Sequence, residues 1–277
     1  FFIIYIAQSI LIPVVLSFLI AVLFSPIVVF FSKLRIPKVI SITLTMILVS
    51  CLSILFLFLL GSQLSIFSES FPSLLENFYV ALEQSINWLA LKMDVKPAYL
   101  NNMVTNSKAE LLEWGKSSLS TTLTTIGNVL VMLFLIPVYV FMILYYKPLL
   151  HEFLFRLIGK GNELKLNSIL ISIKSIVQRY LVALILEMAI MTALNTIALM
   201  LIGVEYAFIL GLIGAILNVI PYIGGVVSTA LPMIVALGSG NPPSMAILVL
   251  VVYIFIQFVD NNFIVPKIIG SKVKLNA

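Results

Sequence analysis

The chain is short of the residues on which most soluble enzymes draw. Only 10% of its 277 residues are charged, against about 25% in an ordinary soluble domain. The one cysteine, Cys51, leaves no partner for an intramolecular disulfide and no thiolate metal cluster. The one histidine, His151, excludes an HExxH zinc site and most histidine-based triads. The two aspartates, Asp94 and Asp260, stand in dissimilar contexts, unlike the paired acids of an intramembrane protease. The GxxxxGK[ST] loop is missing, so no ATP-driven pump is written here. An enzyme is therefore not expected, nor is any metal or cofactor.

What is present in excess is oil. Apolar residues make up 62% of the chain. The polar remainder is too small to cover a soluble globule of this size, and a disordered chain is excluded by the same figure. Runs of about 20 apolar residues mark helices that cross a bilayer. Four full-length candidates occur: Val39–Leu60, Leu119–Tyr146 with Pro137 inside it, Tyr180–Ile202 with one acid, Glu187, and Met245–Val265 with Asp260 near its end. The opening stretch, Phe1–Phe31, is interrupted by Pro13 and Pro26. It is too long for one upright span and too short for two. The expectation is the end of one helix and then a second span from about Pro13. The first residue is Phe, within an apolar run, so the chain is expected to start partway through a longer protein.

Charge position supplies the topology. Twelve of the sixteen Lys and Arg residues fall in three places: Phe31–Lys38, residues 147–179 and the stretch after Pro266. The other four share residues 61–118 with six acids. By the positive-inside rule, the first three regions face the cytoplasm and 61–118 faces out. The net charge of +5 is thus a topological signal, not one for nucleic acid. Residues 1–60 are read as N-terminal transmembrane helices, 61–118 as an extracytoplasmic helical segment and 119–146 as a further span. Residues 147–179 are then a cytoplasmic amphipathic linker and 180–277 a C-terminal transmembrane core. In the outer segment Leu64, Phe67, Phe71, Leu74, Leu75 and Phe78 recur every three or four residues, the period of an amphipathic helix. That helix packs on the bundle, lies at the interface, or serves as a lid or a contact in a homo-oligomer. The linker, broken near Gly159–Gly161, is expected to hug the membrane.

Within the core, Glu205–Leu237 must begin and end outside. Its centre, Asn218-Val219-Ile220-Pro221-Tyr222-Ile223-Gly224-Gly225, is built to stop a helix. Pro221 lacks an N–H and clashes with the preceding turn, and Gly224 and Gly225 are free to take positive φ. Each flank gives roughly 20 Å of helix against roughly 30 Å of hydrocarbon. Either two thin crossings or one re-entrant hairpin results, and the hairpin fits better. Non-helical backbone at such depth is tolerated only where protein or a water-filled cavity satisfies it, which makes the tip a candidate binding or permeation element. Asn218 and Tyr222 carry hydrogen-bonding groups there, although a break needed only for close packing is the plainer alternative. Charged residues inside spans are costly and point to function. Glu187 and the group Gln257, Asp260, Asn261 and Asn262 are the candidates, able to take up a proton or pair with a cation. Asp260 has a second reading, as an acid near the interface that pairs with Lys267.

The stretch LGLIGAILNVIPYIGGVVSTALP, followed by QFVDNNFIVPKIIGSKVKLN, closely resembles the two signature blocks of the autoinducer-2 exporter family, the permease-M-like membrane proteins. The segment order, including IPVYVFMILYYKPLL at 136–150, extends the resemblance over nearly the whole chain. Three positions depart from the family pattern: Gly225 replaces a frequent Pro, Asp260 a common Glu, and Ala277 a usual Pro. The family also continues with one more C-terminal helix. The resemblance implies export of autoinducer-2 or sodium(lithium)/proton antiport. The whole is read as an all-α polytopic helix bundle of the inner (plasma) membrane. It has a broken or re-entrant hairpin at 205–237 and a last span at 245–265. Its partners are the bilayer and a small molecule or monovalent cation. A passive channel and a non-transporting scaffold are the competing readings.

Overall fold

A computed structural model describes residues 2–93, 117, 121, 125, 135–158, 163–220 and 223–270. Among these residues every regular element is a helix. In chain order they are α1 (Phe2–Lys33), α2 (Lys38–Met93), α3 (Leu135–Tyr145), α4 (Lys147–Ile158), α5 (Glu163–Ile202), α6 (Ala207–Asn218), α7 (Ile223–Gly238) and α8 (Pro243–Val259). Two π-helical turns, Asp260–Ile264 and Pro266–Gly270, carry α8 onward. Four helices are long and apolar enough to cross a membrane, or five if α3 and α4, bent by 61° at Tyr146, form one broken span. Their outer faces present bare hydrocarbon: Leu201 is 84% exposed, and Phe58 and Val226 are each 71% exposed. A water-soluble surface rarely carries such patches, whereas lipid accepts them. The polytopic helical architecture expected from the apolar runs is the one found.

Two expectations about continuity change. α1 does not break at Pro13; it runs from Phe2 to Lys33 with both prolines inside. Each proline forfeits one backbone bond, and membrane helices tolerate that loss because neighbouring groups re-satisfy the freed carbonyl. α2 passes through residues 60 and 61 without interruption, so one helix of 56 residues contains both the span and the start of the outer amphipathic stretch. Residues 94–116, with the second and weaker amphipathic helix expected from about Tyr99 to Lys116, lie outside the described residues.

The described residues fall into two compact units, one within 1–58, 125–183 and 269–277, the other within 59–124 and 184–268. In the first, Ala21 and Val28 of α1, Ile42 and Met46 of α2, and Val140 and Leu144 of α3 form a buried cluster. Ser17, Ser25, Ser41 and Thr45 are buried as well. Small residues of this kind let membrane helices approach closely, and Thr45 turns its hydroxyl back onto the Ser41 carbonyl at 2.8 Å.

In the second unit, the apolar stripe of the outer half of α2 is buried: Leu64, Phe67, Phe71, Leu74 and Leu75. The two ends of the α6–α7 hairpin are fastened to it. Tyr206 precedes α6 in the left-handed region at φ 58°. It donates its hydroxyl to Ser70 Oγ at 2.8 Å and stands edge-on to Phe67. Asn77 donates to the Gly238 carbonyl at 3.0 Å, at the end of α7. Ser239 then closes the hairpin base by donating to Glu205 Oε2 at 3.2 Å. A methyl group on Gly238 would run into the Leu74 carbonyl. Gly238→Ala should therefore overpack this seam by about 1–3 kcal/mol and lower the thermal unfolding midpoint of the detergent-purified protein. Gly61→Ala, which meets open space, should leave that midpoint unchanged or raise it. Equal midpoints for Gly238→Ala and the parent would show that the seam is loose.

A broken hairpin joined to a buried carboxylate

The break between α6 and α7 follows from local chemistry. Pro221 has no N–H to give to the Leu217 carbonyl, and that carbonyl accepts from Ile220 N at 2.9 Å instead. The last turn thus tightens from i−4 to i−3 bonding, as helix ends commonly do. Gly224 N then donates to the Ile220 carbonyl at 3.0 Å, and α7 starts. A Cβ on Gly224 would lie 2.5 Å from Asn218 Cα and would also strike the Leu217 carbonyl. The expected positive φ at Gly224 and Gly225 is not found; the left-handed glycines described are Gly203 and Gly240. The glycine at 224 is needed because the first turn of α7 lies directly on the backbone of the last turn of α6.

That contact positions Asn218. Its amide Nδ2 donates to Asp260 Oδ2 at 2.9 Å, joining the hairpin's break to the end of α8 across 42 residues. Asp260 is only 1% exposed, and its second oxygen, Oδ1, has no hydrogen-bond partner. Glu187 on α5 is 8% exposed, with Oε2 likewise unpartnered, and the charge of Asp260 acts on it. Beside them Met191 of α5, Ala215 of α6 and Ile256 of α8 pack into one apolar cluster. Gln257, one turn before Asp260, brings its Oε1 to 3.6 Å from where a Cβ on Gly225 would lie. The Gly225 carbonyl accepts from both Ser228 Oγ and Thr229 Oγ1, at 3.2 and 2.7 Å. Buried polar atoms are nearly always hydrogen-bonded, so orphaned carboxylate oxygens of this kind need a proton, a cation or water to satisfy them.

Of the residues singled out in the sequence, the structure brings Asn218, Gly224, Gly225, Glu187, Gln257 and Asp260 into one unit. Asn261 and Asn262 are exposed, and Asn262 donates back to the Phe258 carbonyl of its own helix at 2.8 Å. Neighbours on a helix are about 100° apart, so the inward direction of Asp260 turns both asparagines away. Pro221 and Tyr222 lie outside the described residues. Other polar groups were not foreseen as part of the site. Asn195 and Thr196, deeply buried on α5, hold unpartnered Oδ1 and Oγ1 atoms, and so does the Tyr253 hydroxyl on α8. Asn195 and Thr196 lie where α6 comes closest, against Gly214 and Gly211 respectively. Spacing could have pointed to Tyr253: Val249, Tyr253, Ile256 and Asp260 form the buried stripe of α8.

Among the described residues no group of three or more His, Cys, Asp or Glu is placed to hold a metal ion. The donors that converge are oxygens of two carboxylates and neutral amides and hydroxyls.

The chain matches the family described as AI-2E family transporter over residues 1–277. It is 29% identical over 277 residues to the AI-2 transport protein TqsA of Escherichia coli (strain K12), covering 98% of this chain and 76% of TqsA. Two proteins of Bacillus subtilis (strain 168) named for transport are also similar over shorter stretches. YueF is 35% identical over 77 residues, 28% of this chain and 20% of YueF. YrrI is 36% identical over 75 residues, 27% of this chain and 20% of YrrI.

The Asn218–Asp260 bond can be weighed by a double-mutant cycle. Asn218→Ala and Asp260→Ala, alone and together, should be non-additive in unfolding free energy by about 0.5–3 kcal/mol. Additive losses would show that the two groups act independently.

Proposed function

We propose that this chain, which belongs to the AI-2E transporter family, is a secondary transporter of the inner membrane. It exports a small solute or cation, with flux coupled to a proton or sodium gradient, and the broken hairpin forms part of the path. AI-2, named in the E. coli relative, is the first cargo to test. The observation that carries this reading is the bond from Asn218, at the hairpin's break, to a buried Asp260 that retains an orphaned oxygen.

Helix lengths favour insertion partway through the bilayer. With 12 and 16 residues, α6 and α7 reach about 18 and 24 Å, short of the roughly 30 Å hydrocarbon layer. Their junction then lies at membrane depth, where unpaired backbone is stable only beside protein or water. The other ends of both helices are fastened to α2, so Asn218 is the part of the hairpin held by a titratable group.

Coupling follows from that arrangement. A hydrogen bond to an ionised carboxylate is roughly twice as strong as one between neutral groups. A proton or monovalent cation taken up between Asp260 and Glu187 offsets the charge that holds Asn218, and the hold on the break weakens. When the ion leaves, the hold is restored. The solute path and the ion site are thereby joined through one amide. Gln257 and Tyr222 supply further polar contacts along the path.

Reconstituted into proteoliposomes, the protein should move AI-2, Na⁺ or Li⁺ in response to an imposed proton or sodium gradient. Asn218→Ala and Pro221→Ala should reduce that flux at least tenfold while the protein still inserts. Glu187→Gln combined with Asp260→Asn should abolish the response to the gradient. Flux that ignores both gradients in the parent would identify a passive facilitator. Unaltered flux in the hairpin variants would remove the hairpin from the path.

A further inference from the structure

The first unit contains a cavity that has no part in this scheme. It lies among α1, α3, α4 and α5, holds about 250 Å³, and is half open. Its wall is largely apolar, with Phe18 and Val22 from α1, Leu144 from α3, Leu154 from α4, and Ile171 and Val177 from α5. Three nitrogen-bearing side chains, Lys147, His151 and Lys174, share the lining, and no aspartate or glutamate does. The acid carried by α4, Glu152, bonds Arg156 on the exposed side of that helix.

Lys174 is the least expected member. It is half-buried and donates Nζ to the neutral Ser25 Oγ at 2.9 Å, and the nearby Lys147 repels its charge. Two lysines drawn towards each other at the edge of an oily cavity lack the anion that would make the arrangement favourable. These residues lie in the basic stretch that the positive-inside rule assigns to the cytoplasmic side, where lipid phosphates are found. Basic pockets between transmembrane helices on that side suit anionic head groups.

We propose that this cavity is a binding site for an anionic phospholipid. Its phosphate lies between Lys147, Lys174 and His151, and one acyl chain runs along the apolar wall. The shape excludes the simpler anions: inorganic phosphate would satisfy the lysines and leave the oily wall empty. A zwitterionic lipid would fill the wall, but its choline would bring a positive charge to a site that already has two. This site is independent of the transport path in the other unit.

Native mass spectrometry of the full chain, titrated with phosphatidylglycerol, phosphatidylcholine or inorganic phosphate, tests the proposal. One phosphatidylglycerol per chain should be retained at detergent concentrations that strip phosphatidylcholine, and phosphate alone should not compete. Lys147→Gln together with Lys174→Gln should weaken phosphatidylglycerol retention roughly thirtyfold, at about one basic contact's contribution each. Lys174→Arg, which keeps the charge, should retain the lipid. If the double variant does not fold, the lipid comparison on the parent and on Lys174→Arg decides. Retention unaffected by the double substitution, or equal for the two lipids, overturns the proposal. Competition by inorganic phosphate at the concentrations effective for lipid would mark a soluble-anion site and overturn it equally.

Discussion

A chain that stops being helical inside hydrocarbon must find partners for the peptide groups it releases, because there is no water to supply them. The second unit is organised around that constraint. Leu217 and Ile220 recover bonds within the break itself. Gly224 brings α7 onto the backbone of α6, leaving no lateral gap. Asn218 extends the network to a third helix through Asp260. Each step depends on the one before: without the close approach at Gly224, Asn218 would have no fixed place from which to reach Asp260. The orphaned oxygens of Glu187 and Asp260 are the part of the network that protein alone does not complete, and this incompleteness separates a transport element from an ordinary kink.

Much of this was legible in the sequence, for physical reasons that can be named. Apolar runs identify spans because every backbone group in lipid must bond internally, so helices are the available form. The break at 218–225 was visible because proline lacks a donor whatever its surroundings. The amphipathic stripe from Leu64 to Leu75 was visible because burial follows the helical period. The joining of Asn218 to Asp260 was not, since the residues are 42 apart and no local pattern encodes which helices meet. Gly224 was recognised for conformational freedom and turned out to be needed for its lack of a side chain. Asn261 and Asn262 were grouped with Asp260 by adjacency along the chain, the one relation that a helix converts into separation. Pro13 was read with the penalty it carries in water, whereas α1 absorbs it.

The hairpin is held differently at its two ends. At its base, Tyr206, Gly238 and Ser239 are engaged by hydroxyls, an amide and an aromatic edge, with one exposed carboxylate as acceptor. At its tip the hold passes through a buried carboxylate. Neutral contacts keep their strength as ionic conditions change; a charge-assisted bond does not. The same two helices therefore carry a steady anchor and an adjustable one, each set by the kind of group that meets it. The outer half of α2, which reads in isolation as a decorative surface helix, supplies the steady one.

The two π-helical turns after Val259 have a bearing on how this protein can vary. An α-helix closes its rings four residues back, whereas the N–H of Val265 reaches five back, to the carbonyl of Asp260. The tail of α8 is therefore out of phase with its body by one residue's worth of rotation, about 100°. Substitutions along 261–270 preserve that offset, but deletion of a single residue would bring the helix back into step and swing everything beyond it to a different side. Length, more than chemical identity, is what this stretch has to keep.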